Sequence, residues 1–181
     1  MKKVFLFVLM LGTVLQGYSQ IVLREAKVVY VPEKMKVDPI KNSLTLEVNE
    51  KFAGEFQEDA LEFLRKNFDP VKLAADNRDK KFDRYEVTFK SDKGLLMASF
   101  DRDGNLISSF QKFKGVGLPP EVRSDLYARY GKTELLKTKY IATSKSWNLD
   151  GEFYRLKIRS ANGVDRLKMY KKAGQSRFAS M

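Results

Sequence analysis

The chain contains neither cysteine nor histidine among its 181 residues. Without these residues, the Ser-His-Asp and Cys-His arrangements of nucleophilic catalysis are excluded. Zinc sites of the usual kind, lipid attachment to a cysteine and nucleotidyltransfer by paired histidines are excluded as well. The composition therefore predicts a protein that is not an enzyme, uses no cofactor and holds no metal.

Two motifs that resemble functional sites have simpler interpretations. Ser109-Phe110-Gln111-Lys112 has the S-x-x-K spacing of penicillin-binding enzymes. That motif needs a helix, whereas here it falls in a predicted strand, where positions three apart point to opposite faces. Asp101, Asp103 and Asn105 resemble the start of a calcium loop, but Leu106 and Lys112 stand where an EF-hand needs glycine and glutamate. We interpret this segment as a tight turn.

Residues 1–19 have the three parts of a cleavable secretory signal peptide. Two lysines precede an apolar run over residues 4–15, and the small residues Gly17 and Ser19 follow at the spacing that a signal peptidase needs. Cleavage is predicted after Ser19, and after Gln20 as the near alternative. A membrane anchor is disfavoured because a span takes about 20 apolar residues. We therefore predict a periplasmic or secreted protein with no transmembrane segment in the mature chain.

Charge is distributed unevenly along the chain. The net charge is +11, and removal of the signal peptide with its two lysines would leave +9. Residues 116–181 alone carry 14 basic and 6 acidic side chains, a net charge of +8. For an exported protein, nucleic acid is an unsuitable partner. An acidic protein surface, or an anionic envelope component such as an acidic glycan or lipid headgroup, is favoured.

The first part of the mature chain predicts strands, one helix and then a hairpin. β-branched and leucine residues favour strands over residues 21–31 and 43–48. A helix is predicted from Glu55, with acidic residues in its first turn and basic residues in its last, and Asp69-Pro70 is predicted to stop it. Alternating apolar residues then predict three antiparallel strands, over residues 85–89, 96–100 and 106–113.

The same pattern restarts after the glycine-rich linker at residues 114–117. Pro119 and Pro120 open a second predicted helix, and Gly131 closes it. Residues 148–151 are predicted to form a turn, with Trp147 packing in the core or at a sheet edge. Three strands are predicted in this half, over residues 135–143, 154–158 and 167–169.

The two predicted hairpins match at a constant offset of 69 residues. The matching pairs are Tyr85 and Tyr154, Val87 and Leu156, Phe89 and Ile158, Ser91 and Ser160, Gly94 and Gly163, and Phe100 and Met169. We therefore predict an α+β fold of two helix-plus-antiparallel-sheet repeats, compatible with one continuous sheet that has both helices on one side. The predicted organisation is a signal peptide at 1–19, extended strands at 20–54, a first repeat at 55–115, a second at 116–172 and a tail at 173–181.

This order of motifs resembles the PepSY-like proteins of bacterial envelopes. The resemblance lies in the Y-x-V-x-F strand at Tyr85, the glycine turn, the D-x-D-G turn at Asp101 and the L-P-x-x-V helix start at Leu118, within residues 55–172. In tandem, such units are similar to the fold of the β-lactamase inhibitor protein. The resemblance implies an exported binding or peptidase-inhibiting module, and it transfers no binding residues. The second copy has Lys171-Lys172-Ala173-Gly174 in place of the acidic turn.

The second hairpin supplies the predicted binding surface. Side chains alternate along a strand, so burial of Leu156, Ile158, Leu167 and Met169 would direct a basic set with aromatic margins to the other face. This set is Phe153, Arg155, Lys157, Arg159, Arg166, Lys168 and Tyr170. It predicts a binding or inhibitory protein that acts by surface docking. Two alternatives remain: an accessory or carrier protein for acidic glycans or lipid headgroups, and a face that serves solubility alone.

Overall fold

The computed structural model describes residues 31–38, 40, 42–78, 82–171 and 178–180. The predicted signal peptide, its cleavage site and all but the last residue of the strand predicted at 21–31 lie outside these ranges. Most of the tail at 173–181 lies outside them as well. Among the described residues, no helix is both long enough and apolar enough to cross a membrane.

The fold is α+β, as the sequence predicts. Four α-helices are described, α1 (Ala53–Glu58), α2 (Ala60–Asn67), α3 (Pro70–Asp76) and α4 (Pro120–Tyr130). The described strands are β1 (Lys34–Asp38), β2 (Ser43–Glu47), β3 (Arg84–Ser91), β4 (Gly94–Asp101), β5 (Leu106–Lys114), β6 (Glu134–Lys145), β7 (Asn148–Ser160), β8 (Gly163–Tyr170) and β9 (Phe178–Ser180).

These strands form one mixed sheet in which spatial order follows chain order from β1 to β9. Strands β2 and β3 run parallel, and the other neighbouring pairs are antiparallel. The parallel pair follows from its connection, because α1, α2 and α3 carry the chain back across the sheet between β2 and β3.

The prediction of one helix from Glu55 to Asp69-Pro70 is wrong, since three helices occupy residues 53–76. Asp59 leaves the helical conformation, with φ −144° and ψ 88°, and its carboxylate accepts from the backbone N–H of Glu62 at 3.0 Å. Asp69 caps α3 in the same way through Lys72, and Pro70 takes the first turn of that helix. Each aspartate satisfies an N–H group that the start of a helix leaves unpaired, so each starts a new helix.

All four helices pack on one face of the sheet. Register pairs Phe113 with Tyr140, Tyr140 with Tyr154 and Tyr154 with Met169, so the inner faces of β5 to β8 are continuous. Helices α1 to α3 cover the inner face of β2 to β5, with Phe56, Phe63 and Leu64 among the buried residues. Helix α4 covers β7 and β8 through Val122 and Leu126. The other face of the sheet is not covered by a described helix.

Tyr140 lies where the two cores meet and packs against both. Its hydroxyl donates to Glu152 Oε1 at 2.7 Å, and its ring lies 5.3 Å from that of Tyr154. Burial and the neighbouring Glu152 carboxylate raise the pKa of Tyr140 far above its usual range, and burial raises the pKa of Tyr154 to about 12. Both phenols therefore stay neutral inside the junction at physiological pH.

The two hairpins match in detail at the predicted offset. Tyr85 pairs with Phe100 in the first, and Tyr154 with Met169 in the second. In both turns, the serine hydroxyl accepts the N–H two residues ahead, at 3.2 Å from Lys93 and 3.3 Å from Asn162. The surroundings differ, however, because β3 directly follows the helical segment whereas β6 separates α4 from the second hairpin. A tandem repeat of whole units therefore stays a hypothesis.

The turn predicted at residues 148–151 is wrong, since these residues belong to β7. The chain reverses instead at Ser146, with φ 49°, and Trp147. Trp147 is 39% exposed and lies outside both cores. The register shift at Thr143/Ser144 leaves Asp150 of β7 without an opposite residue, and the pairing of β6 with β7 continues beyond it to Lys145 and Asn148.

Candidate binding face

The uncovered face of the sheet carries a continuous basic surface on β5 to β8. Residues opposite each other on neighbouring strands share a face, and register links the second hairpin to lysines of β5 and β6. We call this surface the basic face. Its nine cations are Lys112, Lys114, Lys137, Lys139, Arg155, Lys157, Arg159, Arg166 and Lys168.

Most of these cations stand in two rows that cross the strands. The first row places Lys139 opposite Arg155 and Arg155 opposite Lys168, and Lys114 opposite Lys139 extends it to β5. The second row places Lys137 opposite Lys157, and Lys157 opposite Arg166. Like charges directly opposite each other destabilise a sheet, by roughly 0.2–1 kcal/mol per pair. This arrangement therefore works against the stability of the fold.

The carboxylates near these rows lie at their margins. Glu134 accepts from Arg159 at 2.5 Å, and Asp150 accepts from the Thr143 hydroxyl at 2.7 Å. Among the described residues, no carboxylate forms an ion pair with a cation of either row. The rows are thus left without internal neutralisation over the part of the chain that the structure describes.

Aromatic and aliphatic side chains cross the basic face beside the first row. Phe153 stands opposite Tyr170 with ring centroids 5.8 Å apart, and Lys168 Nζ lies 4.1 Å and 4.5 Å from the two centroids. Ile141, next to Phe153, is only 6% exposed, although it points away from the helices. Phe110 on β5 is 37% exposed. The face therefore combines positive charge with a half-buried apolar band.

The structure places all seven predicted site residues on this face, while their role in binding stays a prediction. Arg159 differs from the others because it is paired with Glu134. Lys168 differs because its ammonium group lies over the rings of Phe153 and Tyr170 and interacts with both. Sequence reasoning missed four members of the face, which are Lys112, Lys114, Lys137 and Lys139. The alternation of lysines in residues 137–139 and 112–114 was the available signal.

The S-x-x-K segment at Ser109 lies in a strand, and the segment at Asp101 that resembles a calcium loop forms a turn. Ser109 is buried on the helix side, where its hydroxyl lies 2.7 Å from that of Ser144, while Lys112 is exposed on the basic face. Asp101 accepts the backbone N–H groups of Asp103 and Asn105 at 2.9 and 2.8 Å, and the Asn105 side-chain amide at 2.9 Å. These bonds lower the pKa of Asp101, and they engage its carboxylate in the turn.

Replacing Lys157 with glutamate is expected to stabilise the fold. The change converts two directly opposed like-charge pairs, with Lys137 and Arg166, into two opposite-charge pairs. A gain of about 1 kcal/mol in the free energy of unfolding is expected at low salt, and it should shrink as salt is added. Urea unfolding at two ionic strengths measures it. Lys132→Glu, in the exposed turn after α4, is the matched control. A destabilised Lys157→Glu variant would contradict the electrostatic interpretation.

Comparison of the chain with protein-family models, with curated proteins and with solved structures finds no match.

Proposed function

We propose that this chain is an exported, non-enzymatic binding protein that docks an acidic protein surface on its basic face. The observation that carries the proposal is the pair of cation rows. Five directly opposed like-charge pairs cost stability, and no described carboxylate relieves them. A partner with complementary negative charge would relieve this repulsion on binding and would also accelerate the encounter.

The apolar band favours a protein partner over a simple counterion. Phe153, Tyr170 and Phe110 supply ring surface within the charged field. Aromatic residues and arginine are the side chains that contribute most to protein interfaces, and Arg155 lies beside Phe153 with its guanidinium carbon 5.6 Å from the ring centroid. The basic face therefore has aromatic side chains surrounded by charged ones, as the centre of a protein–protein interface does.

An inhibitory role is part of this proposal. It rests on the resemblance to PepSY-like proteins. The further resemblance to the β-lactamase inhibitor protein fold holds only if the chain contains two such units in tandem. The matched registers and turns of the hairpins β3–β4 and β7–β8 support such a repeat. Export rests on the signal peptide predicted at residues 1–19.

A second candidate is an accessory or carrier protein for acidic glycans or lipid headgroups. The first cation row favours it, because four cations cross four adjacent strands from Lys114 to Lys168. Neighbouring strands lie about 4.8 Å apart, so the row spans roughly 14 Å in a line. A linear array of this kind suits an anionic polymer as well as a protein surface.

The test is a double charge reversal in the second row, Lys157→Glu with Arg166→Glu. Tagged protein is used to capture partners from the envelope fraction, at low salt and at about 0.15 M salt. The reversed variant should capture at most about one tenth as much of the component. Loss of two interface cations weakens the binding free energy by at least about 1.4 kcal/mol, which corresponds to a factor of ten. Circular dichroism verifies that the variant is folded.

The matched control is Lys72→Glu with Lys132→Glu, which changes the net charge equally on α3 and in the turn after α4. It should capture the component as the wild-type protein does. Protease treatment of the fraction before capture distinguishes the candidates, since a protein partner is destroyed and a glycan or lipid partner survives. Equal capture by the reversed and wild-type proteins would show that the basic face serves solubility only.

A further inference from the structure

A cleft at one end of the basic face is surrounded by five lysines. It has a volume of about 270 Å³ and lies where the β3–β4 turn meets the end of β5 and the middle of β6. We call it the lysine pocket, and its cations are Lys90, Lys93, Lys112, Lys114 and Lys139. Leu95 and the backbone of Gly94 contribute its apolar lining. Only Lys139 and its neighbours Lys112 and Lys114 also belong to the basic face.

The elements around the pocket hold these lysines together. Lys112 stands opposite Leu95, which in turn stands opposite Lys90, and Lys114 stands opposite Lys139. The backbone N–H of Lys114 donates to the carbonyl of Lys93 at 2.8 Å, which ties the turn to the end of β5. Three strands, β3, β5 and β6, and the β3–β4 turn thus bring the five lysine side chains to one cleft.

The lining of the lysine pocket has an excess of positive charge, and outside the lining Glu47 on β2 stands opposite Lys90. Asp92 is the one carboxylate of its lining, which leaves a net charge of +4 around the cleft. None of the five lysines forms an ion pair with any residue that the structure describes. Cations held this close together raise the local electrostatic potential and attract anions of high charge density.

We propose that the lysine pocket binds a phosphate monoester on a group of about the size of a monosaccharide. Lysine is a compact point charge that binds phosphate groups, and it is the only cationic residue type in the lining of the pocket. The cleft volume of about 270 Å³ lies just below the usual range for small-ligand pockets, about 300–1,000 Å³, so the ligand is limited to about one sugar-sized group beside the phosphate. This inference does not depend on the docking function.

The net charge of the pocket favours the phosphate monoester over other anions. A phosphate monoester carries about −1.5 to −2 charges at pH 7, with its second pKa near 6. A sulfate ester and a carboxylate carry one charge each. Ligand affinity should therefore rise between about pH 5 and about pH 7.5 as the phosphate becomes dianionic.

The experiment measures binding of hexose 6-phosphate by calorimetry at about 0.15 M salt, with hexose 6-sulfate as the matched ligand. Lys112→Ala with Lys139→Ala should weaken binding of the phosphate at least about tenfold. Lys72→Ala with Lys132→Ala, which are outside the pocket, should leave it unchanged. Lys90→Ala with Lys114→Ala provides a second pocket variant in case the first fails to fold.

Two further arms identify the source of the phosphate and separate this inference from the docking function. Vesicles that contain phosphatidic acid present the same monoester on a lipid, so binding to them alone, with the same dependence on Lys112 and Lys139, assigns the pocket to a lipid headgroup. The Lys157→Glu with Arg166→Glu variant should keep phosphate binding even where it loses the docking partner. The inference is overturned if neither phosphate source binds, if the pocket variants bind as wild type does, or if sulfate binds equally well at pH 7.5.

Discussion

Replacing Phe56 with alanine is expected to lower the free energy of unfolding by about 3–5 kcal/mol. Phe56 is the fully buried residue of α1, and its ring centroid lies 5.2 Å from that of Phe63 and 5.1 Å from that of Phe113. The Phe89 ring lies 6.3 Å away. The substitution would leave a cavity bounded by rings from α2, β3 and β5, which are held in place by the sheet and cannot all move to fill it.

Urea unfolding followed by circular dichroism measures this loss as a shift of the midpoint at constant slope. Tyr127→Ala on α4 is the matched control, because that aromatic side chain is 50% exposed and should cost less than about 1 kcal/mol. A comparable effect of the two substitutions would show that the aromatic cluster does not hold α1 on the sheet. A Phe56→Ala protein with a smaller slope would indicate instead that α1 has detached.

Local signals were sufficient to predict the hairpins and α4. The strand alternation at Tyr85 and Tyr154 reflects burial of one face, and the turn residues fix the register at each hairpin. Helix α4 begins at Pro120 and ends before Gly131, which caps it with φ 63°, as the sequence predicts. Each of these elements is specified by residues within a few positions of one another, so a single sequence is enough to find it.

The error in the predicted helix arises at residues that can either continue or end one helix and begin another. In the helix predicted from Glu55, Asp59 is one of the acidic residues of the first turn, whereas in the structure it is the N-cap of α2. Asp69-Pro70 is predicted to end a helix, and in the structure it also begins the next one, because proline is compatible with the first turn of a helix. The choice between these roles depends on how α1, α2 and α3 pack over the Phe89 ring and its neighbours, which the local sequence does not encode.

Only part of the basic face could be predicted from the sequence, for a similar reason. Alternation within β7 and β8 was enough to place Arg155, Lys157 and Arg166 together. The pairing of Lys139 with Arg155 and of Lys112 with Leu95 joins strands through register between distant segments, and a register cannot be read from either strand alone. The lysine pocket is lined by residues of four strands and one turn, so it could not be predicted from the sequence.

Replacing Gly94 with alanine is expected to cost about 3 kcal/mol of stability, at the upper end of ordinary overpacking effects. Gly94 stands opposite Phe113 on the neighbouring strand, and an added Cβ would lie 2.6 Å from a carbon of the Phe113 ring and 2.8 Å from its Cα. It would lie nearer still to the carbonyl oxygen of Lys112. Backbone atoms cannot rotate away as a side chain can, so the pairing of β4 with β5 must shift.

The consequence of this shift reaches both the core and the lysine pocket. Phe113 occupies the space that the missing Cβ leaves, and from there its ring reaches Phe56. Gly94 also lines the pocket between Lys93 and Lys112. Urea unfolding measures the loss, and Gly117→Ala is the matched control, since nothing lies within 4 Å of its Cβ position and a change within about 0.5 kcal/mol is expected. Equal stability of the two variants would refute the close approach of β4 to β5 at Gly94.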